Sequence, residues 1–150
     1  MYKHELKIKK HKKVSHFTYG RYGSTTTIEL ENILKELEQA YHVFLTGTGF
    51  GGIALALMAL CRPGDEVLVS DNVYGPTKEI SQELMKEFKV DAKFYNPDSL
   101  DDLKRKISHK TKMILVENPG SNTFEFQDLS KIVKVAKRKK IFTLLDNTWG

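Results

Sequence analysis

The sequence predicts an α/β fold, in which a mostly parallel sheet carries helices on both faces. From residue 27 onward, stretches with apolar residues at helical spacing alternate with short apolar stretches of strand length. Strands joined through helices need crossover connections, which place neighbouring strands parallel. The composition, with 40% apolar and 29% charged residues among 150, is that of a globular chain whose core needs no disulfide.

The predicted elements follow in order along the chain. An amphipathic helix is predicted over 27–40, because apolar residues recur there every three or four positions. A second helix over 50–61 is apolar on nearly every side, which indicates burial, and it ends before Pro63-Gly64. The remaining predicted helices cover 76–88 and 127–139, with another that Asp98 or Ser99 caps and that runs through about Ile107. The predicted strands cover 42–46, 66–70, 89–95, 113–117 and 141–146.

The net charge of +5 resides in one segment. Residues 1–13 hold six lysines against one glutamate, and the rest of the chain sums to zero. A terminal run of this kind predicts a solvated segment, so we expect no nucleic-acid partner. A basic-tailed module that binds nucleic acid is the non-enzymatic alternative.

Composition also excludes several classes of site. The single cysteine, Cys61, excludes a disulfide framework and multi-cysteine zinc sites, and it fits a reducing compartment. The longest apolar stretch, residues 53–61, is far shorter than the roughly 20 residues that span a bilayer. Because the sequence also opens without an apolar secretory leader, we expect a cytoplasmic location, no membrane partner and no metal site.

The densest motif is Thr46-Gly47-Thr48-Gly49-Phe50-Gly51-Gly52, between a predicted strand and the buried helix. The free amides in the first turn of a helix attract anions, so a phosphate is the expected ligand. Gly47, Gly49 and Gly52 also satisfy the dinucleotide fingerprint, with Asp71 at the end of the next strand as the ribose-binding acid. An NAD-binding Rossmann domain of an oxidoreductase is therefore the alternative enzyme class.

Four further segments accompany the glycine turn. They read Tyr-Gly-Arg-Tyr-Gly at 19–23, Asp-Asn-Val-Tyr-Gly at 71–75, Glu-Asn-Pro-Gly-Ser at 117–121 and Asp-Asn-Thr-Trp at 146–149. Together the five segments resemble, in order and spacing, the transsulfuration (Cys/Met metabolism) family of pyridoxal-phosphate (PLP) enzymes, over about residues 17–150. The Pro-Gly-Ser and the tryptophan resemble the cystathionine β-lyase branch, since γ-acting members usually carry phenylalanine in place of that tryptophan.

The resemblance implies that residues 17–150 form part of a large domain, that of the fold-type I (aspartate aminotransferase-like) PLP-dependent transferase fold. Residues 1–16 are then a basic segment that precedes this domain. It also implies cofactor-binding roles. An acid at the end of a buried strand keeps the PLP ring nitrogen protonated, an aromatic ring lies against the cofactor, and amides and an arginine hold the phosphate. By this resemblance the acid is Asp146 and the aromatic ring is that of Tyr74. The phosphate is held by the amides of Gly49 and Phe50 and by the side chains of Tyr19 and Arg21. In the family this tyrosine and arginine reach the site of the neighbouring subunit, which implies a homo-oligomer.

The family binds PLP covalently through a Schiff-base lysine in a Ser-x-Thr-Lys motif after the Asp-Asn-Thr segment, and these 150 residues contain no such motif. We therefore expect no catalytic residue here and no activity from this polypeptide alone. The expected protein is a truncated or split N-terminal part of a cystathionine β-lyase-like enzyme of methionine metabolism, which converts cystathionine, a small amino-acid substrate, to homocysteine, pyruvate and ammonia. A complementing C-terminal polypeptide would supply the lysine to a split enzyme, and a relic of a broken gene is the alternative.

Overall fold

A computed structural model describes residues 20–150 of the chain, apart from the side chains of Tyr22 and Leu84. The chain divides into two compact units, the first ending at Leu45 and the second running from Thr46 to Gly150. The basic segment predicted at 1–16 and the predicted phosphate ligand Tyr19 lie outside the described residues.

The first unit contains a short 3-10 helix, Gly20–Tyr22, and helix α1, Thr25–Leu37. Ser24 caps α1: its side chain accepts a hydrogen bond from the Thr27 amide at 3.2 Å, and the Thr27 hydroxyl accepts one from the Ser24 amide at 2.8 Å. This reciprocal pair satisfies two donors that a helix start leaves unpaired. The predicted helix is therefore confirmed, with its start two residues earlier than expected.

The strand predicted over 42–46 is wrong. A strand requires a hydrogen-bonded neighbour, and within the described part of the chain this segment pairs with none. Its apolar side chains are also uncovered there, since Phe44 is 74% exposed.

Four parallel strands form the sheet of the second unit. Their bounds are β1 Glu66–Ser70, β2 Asp91–Tyr95, β3 Thr111–Glu117 and β4 Phe142–Asp146. The spatial order is β2-β1-β3-β4, so β2 lies on one side of β1 and the later strands lie on the other. The connection that follows β1 and the connection that follows β3 therefore run in opposite directions across the sheet.

One helix precedes these strands and the others connect them. Their bounds are α2 Gly49–Leu60, α3 Gly75–Glu79, a π-helical turn Ile80–Leu84, α4 Met85–Glu87, α5 Leu100–Lys106 and α6 Leu129–Lys139. The π turn interrupts the helix predicted over 76–88. The Ser81 hydroxyl donates to the Thr77 carbonyl at 2.7 Å there, and such back-bonding competes with the regular ladder of backbone hydrogen bonds.

The sheet has a separate apolar core on each face, because successive side chains of a strand point to opposite faces. Val67 and Val69 of β1 belong to the core that includes α2, the π turn and α4. Leu68, between them, belongs to the core that includes α5 and α6. The prediction of a parallel sheet with helices on both faces is thus confirmed. None of the helices among residues 20–150 is long and apolar enough to cross a membrane.

Candidate functional site

The carboxyl ends of β1 and β3 mark a topological switch point. These strands are neighbours, but the helical run after β1 packs on one face of the sheet and α6, after β3, packs on the other. The two connecting loops therefore diverge and leave a crevice between them. In open parallel α/β sheets this crevice is where ligands bind.

Tyr74 and Glu117 meet in this crevice. The Tyr74 amide donates to Glu117 Oε2 at 2.7 Å, and the Tyr74 carbonyl accepts from the amides of Thr77 and Lys78 at 2.9 and 3.1 Å. The Tyr74 backbone is thus fixed on both sides, while its side chain stays 47% exposed. An anchored aromatic side chain at the surface is suited to stacking against a planar ligand.

Asp146 ends β4 next to Glu117. The two residues are register partners on adjacent strands, and the Asn118 amide donates to the Asp146 carbonyl at 3.4 Å. Asp146 Oδ1 accepts from the Thr148 amide at 3.0 Å and from its hydroxyl at 2.5 Å. Burial raises the pKa of Glu117; the hydrogen bonds from the Tyr74 amide and from Ser121 oppose this rise, and the neighbouring Asp146 charge adds to it.

A buried polar network lies beneath the crevice and joins three strand ends. Gln127 Nε2 donates to Ser70 Oγ at 2.9 Å and to the Glu117 carbonyl at 3.3 Å. The Tyr95 hydroxyl donates to Gln127 Oε1 at 2.9 Å, and the Ser70 hydroxyl donates to Asn72 Oδ1 at 2.6 Å. Because these groups satisfy one another out of contact with water, the network fixes the positions of the loops above it.

The first turn of α2 offers free backbone donors. Thr48 caps this helix, accepting from the Gly51 amide on its side chain at 2.9 Å and from the Gly52 amide on its carbonyl at 3.1 Å. The amides of Gly49 and Phe50 have no acceptor within the helix, and a Cβ built on Gly49 meets no atom within 4 Å. Open space and paired donors at a helix start suit an anion such as phosphate.

The start of α2 lies on the side of the sheet where α3 begins. Phe50 lines a surface groove together with Pro76 and Ile80, and Pro76 follows Tyr74 by two residues. Helix α2 also contacts α3 and β4. Of the predicted site residues, the second unit holds Gly49 and Phe50 in the first turn of α2, Tyr74 at the start of α3 and Asp146 at the end of β4.

The structure does not test the remaining predicted ligands together with these, because Tyr19 lies outside the described residues and Arg21 belongs to the first unit. Arg21 lies in the 3-10 helix of the first unit, where its side chain is exposed. The sequence interpretation missed Glu117, Gln127 and Asn72 as parts of the site. One available signal was the position of Glu117, a polar residue that closes an apolar strand at the ligand-binding edge.

The structure does not favour the dinucleotide-binding alternative. That fingerprint requires a strand leading directly into the glycine turn, and residues 42–46 belong to no strand among the described residues. The proposed ribose acid, Asp71, instead forms an ion pair with Lys78 at 2.7 Å.

Comparison with known proteins gives a consistent result. The chain is 40% identical over 132 residues to a Saccharomyces cerevisiae protein assigned as a cystathionine beta-lyase, covering 88% of this chain and 39% of that protein. It is 35% identical over 133 residues to the cystathionine beta-lyase of Bordetella avium, covering 89% and 33%. It is 32% identical over 134 residues to an L-alanine/L-glutamate racemase of Wolbachia pipientis wMel, covering 89% and 33%.

A solved structure shares the fold. This Campylobacter jejuni protein, assigned as an O-acetylhomoserine (thiol)-lyase, was determined with N'-pyridoxyl-lysine-5'-monophosphate. It matches with a TM-score of 0.80 and 29% identity, over 85% of this chain and 32% of that one. The chain thus spans 39% and 33% of the lengths of the first two relatives. It forms part of the large domain of the fold-type I PLP enzymes. Since the profile of Cys/Met metabolism PLP-dependent enzymes matches residues 1–150, the chain belongs to that family.

Proposed function

We propose that these residues form the cofactor-binding side of a cystathionine β-lyase-like carbon–sulfur lyase. The observation that carries the proposal is the meeting of Tyr74, Glu117 and Asp146 at the switch point of the parallel sheet. The names of two relatives support the choice of lyase reaction. In the intact enzyme the substrate would be cystathionine, and the products would be homocysteine, pyruvate and ammonia.

The residues present fit PLP. The free amides of Gly49 and Phe50 would hold the phosphate, the anchored Tyr74 side chain would cover one face of the ring, and the Asp146 carboxylate would accept a hydrogen bond from the ring nitrogen. When bound, PLP supplies an electron sink for a carbanion on the amino-acid substrate. The role of Asp146 is to hold the proton on the ring nitrogen, because an adjacent carboxylate favours the charged form of that nitrogen.

Two parts of the site would come from outside these segments. Arg21, together with Tyr19, would contact the phosphate bound by a second copy of the chain, which makes the functional form a homo-oligomer. The lysine that binds PLP covalently would come from residues outside these 150, in the same polypeptide or in a second one. The 150 residues alone would then bind the cofactor weakly, without a covalent bond, and would not turn over cystathionine.

Binding of the cofactor can be tested directly. Pyridoxamine 5′-phosphate is the suitable probe, because its amine cannot condense with surface lysines as the PLP aldehyde does. Trp149 is the single tryptophan of the chain and follows Asp146 by three residues, so quenching of its fluorescence should report binding. We expect saturable quenching, with pyridoxamine lacking the phosphate binding more weakly.

Two tyrosine substitutions make a matched pair for this assay. Tyr74→Ala should weaken binding about tenfold, since stacking contacts are worth about 1 kcal/mol or more. Tyr41→Ala removes a side chain that is 91% exposed in the first unit and should leave binding unchanged. Equal effects of the two substitutions, or quenching by NADH but not by the vitamin B6 phosphate, would contradict the proposed site.

The proposed reaction needs its own test. By itself, the 150-residue chain should release no pyruvate from cystathionine. When it is combined with a polypeptide that carries the Ser-x-Thr-Lys motif, pyruvate should be released. Because one relative is a racemase, the same mixture should be tested for racemisation of alanine. Racemisation without pyruvate release would assign a different reaction to the same site.

A further inference from the structure

We propose that Glu117 is a positioning residue for the cofactor: its buried carboxylate anchors the backbone of Tyr74 and so fixes the aromatic side chain beside Asp146. The proposal rests on the proposed function, and it adds a residue to which no cofactor contact is assigned. It concerns one hydrogen bond that joins the two loops of the switch point.

The geometry shows why Tyr74 needs an external anchor. Tyr74 occupies the N-cap position of α3, and α3 has no side-chain cap of its own. Glu117 instead accepts the amide of this cap residue, 43 positions further along the chain, at 2.7 Å. A capping box does the same within one helix turn; here the acceptor comes from a neighbouring strand.

The anchor is rigid because Glu117 is itself held. Its side chain is only 3% exposed, and its backbone lies in the ladder of β3, in register with Asp146 of β4. Beyond the end of the strand, the Ser121 amide donates to the Asn72 carbonyl at 2.9 Å. The two loops are thus tied together at Asn72 and again at Tyr74.

This arrangement determines where the ring face and the acidic acceptor lie relative to each other. Neighbouring strands lie about 4.8 Å apart, so Glu117 is next to Asp146 on one side and bonded to Tyr74 on the other. Without the acceptor on Glu117, the Tyr74 amide would have to donate its hydrogen bond to water instead. The loop that carries the aromatic side chain would then lose its fixed position.

Paired substitutions separate the acceptor from the charge and from packing. Glu117→Gln keeps an oxygen acceptor of the same shape, whereas Glu117→Met keeps the side-chain length and removes the acceptor. Glu66→Met is the matched control, because Glu66 is an equally buried glutamate at the start of β1, at the opposite edge of the sheet, where it bonds to Lys93, Thr111 and Ser108.

Three readouts apply to the full 150-residue chain: the dissociation constant for pyridoxamine 5′-phosphate, the induced circular dichroism of its bound ring, and hydrogen exchange of the Tyr74 amide. Glu117→Met should weaken binding about tenfold, reduce the induced signal and speed exchange at Tyr74. Glu117→Gln should keep binding within about threefold. Glu66→Met should lower stability and leave binding and Tyr74 exchange unchanged.

If binding and Tyr74 amide exchange are unchanged in Glu117→Met, this inference is overturned and the proposed function is not. If the unsubstituted chain binds no pyridoxamine 5′-phosphate, the proposed function fails and this inference fails with it. If Glu117→Met does not fold, Glu117→Gln decides the matter: retained binding with a protected Tyr74 amide supports the anchor, and tenfold weaker binding overturns it.

Discussion

Gly120 lies where two loops of the site touch, and replacing it with alanine should destabilise the chain. A Cβ at Gly120 would lie 2.6 Å from Glu125 Oε2 and 2.8 Å from Asn72 Cγ, and nearer still to Asn72 Nδ2. The Glu125 carboxylate is the far end of a flexible side chain and can move. Asn72 cannot move freely, because it is 8% exposed and accepts the Ser70 hydroxyl at 2.6 Å.

The cost follows from what the displaced Asn72 loses. Forcing a methyl group into a packed site costs about 1–3 kcal/mol, and separating Ser70 from Asn72 adds about 1 kcal/mol. The smaller conformational entropy of alanine in the unfolded chain returns about 0.5 kcal/mol. We therefore expect Gly120→Ala to lower the free energy of unfolding by about 1.5–3.5 kcal/mol.

Urea unfolding followed by far-ultraviolet circular dichroism measures this change, with the slope against urea checked for constancy. Gly75→Ala is the control, because a Cβ there meets no atom within 4 Å, and its free energy of unfolding should not fall. In an Asn72→Ala background the clash is gone, so Gly120→Ala should cost far less there. A loss below about 0.5 kcal/mol in the original background, or full additivity of the two changes, would refute this account.

Three further predictions concern the same unit. Thr48→Ala removes the cap of α2 and should lower the free energy of unfolding by about 1 kcal/mol, measured by the same urea titration with Thr48→Ser as the control. Burial raises the pKa of Tyr95 to about 12, so an ultraviolet titration should show a late-titrating tyrosine. Tyr95→Phe should remove this late-titrating group and cost about 1–3 kcal/mol, because Gln127 Oε1 loses its donor. Burial alone would raise the pKa of Glu66, but hydrogen bonds from Lys93, Thr111 and Ser108 hold it below its ordinary value of 4.5. The stability that these bonds provide is therefore present above pH 4.5 and lost as the pH falls through the lower pKa of the folded state. Glu66→Gln should therefore lower the free energy of unfolding at neutral pH and leave it equal to that of the unsubstituted chain in acid. An equal difference at both pH values would contradict this.

Local sequence was sufficient where an element depends on its own residues. The strand predicted over 66–70 has the observed bounds, because five residues buried on both faces lie between clear turn signals. Elsewhere single residues shifted the ends. β2 begins at Asp91 rather than at Lys89, because Lys89 has a φ of 58°, which no strand accommodates. Helix α6 begins at Leu129, because Asp128 caps it by accepting from the Lys131 amide at 3.0 Å.

Local sequence was insufficient where an element or a site depends on distant residues. Residues 42–46 have a strand-like pattern, but a strand exists only with a neighbour, and pattern does not specify one. Likewise, motifs identified Tyr74 and Asp146 as candidates, but no motif connects Glu117 to Tyr74 or Gln127 to Ser70. These pairs are 43 and 57 positions apart, and only the strand order brings them together.

The strand order also has a consequence for the time at which this site can form. As the chain emerges from the ribosome, β1 first acquires β2 on one side, while its other side has no neighbour. The anchor of Tyr74 arrives only when β3 pairs with that second side, and long loop closures of this kind are slow steps. Binding of the vitamin-derived ligand therefore cannot stabilise a nascent chain that ends before residue 117. The ligand can stabilise the folded state only after the third strand has joined the sheet.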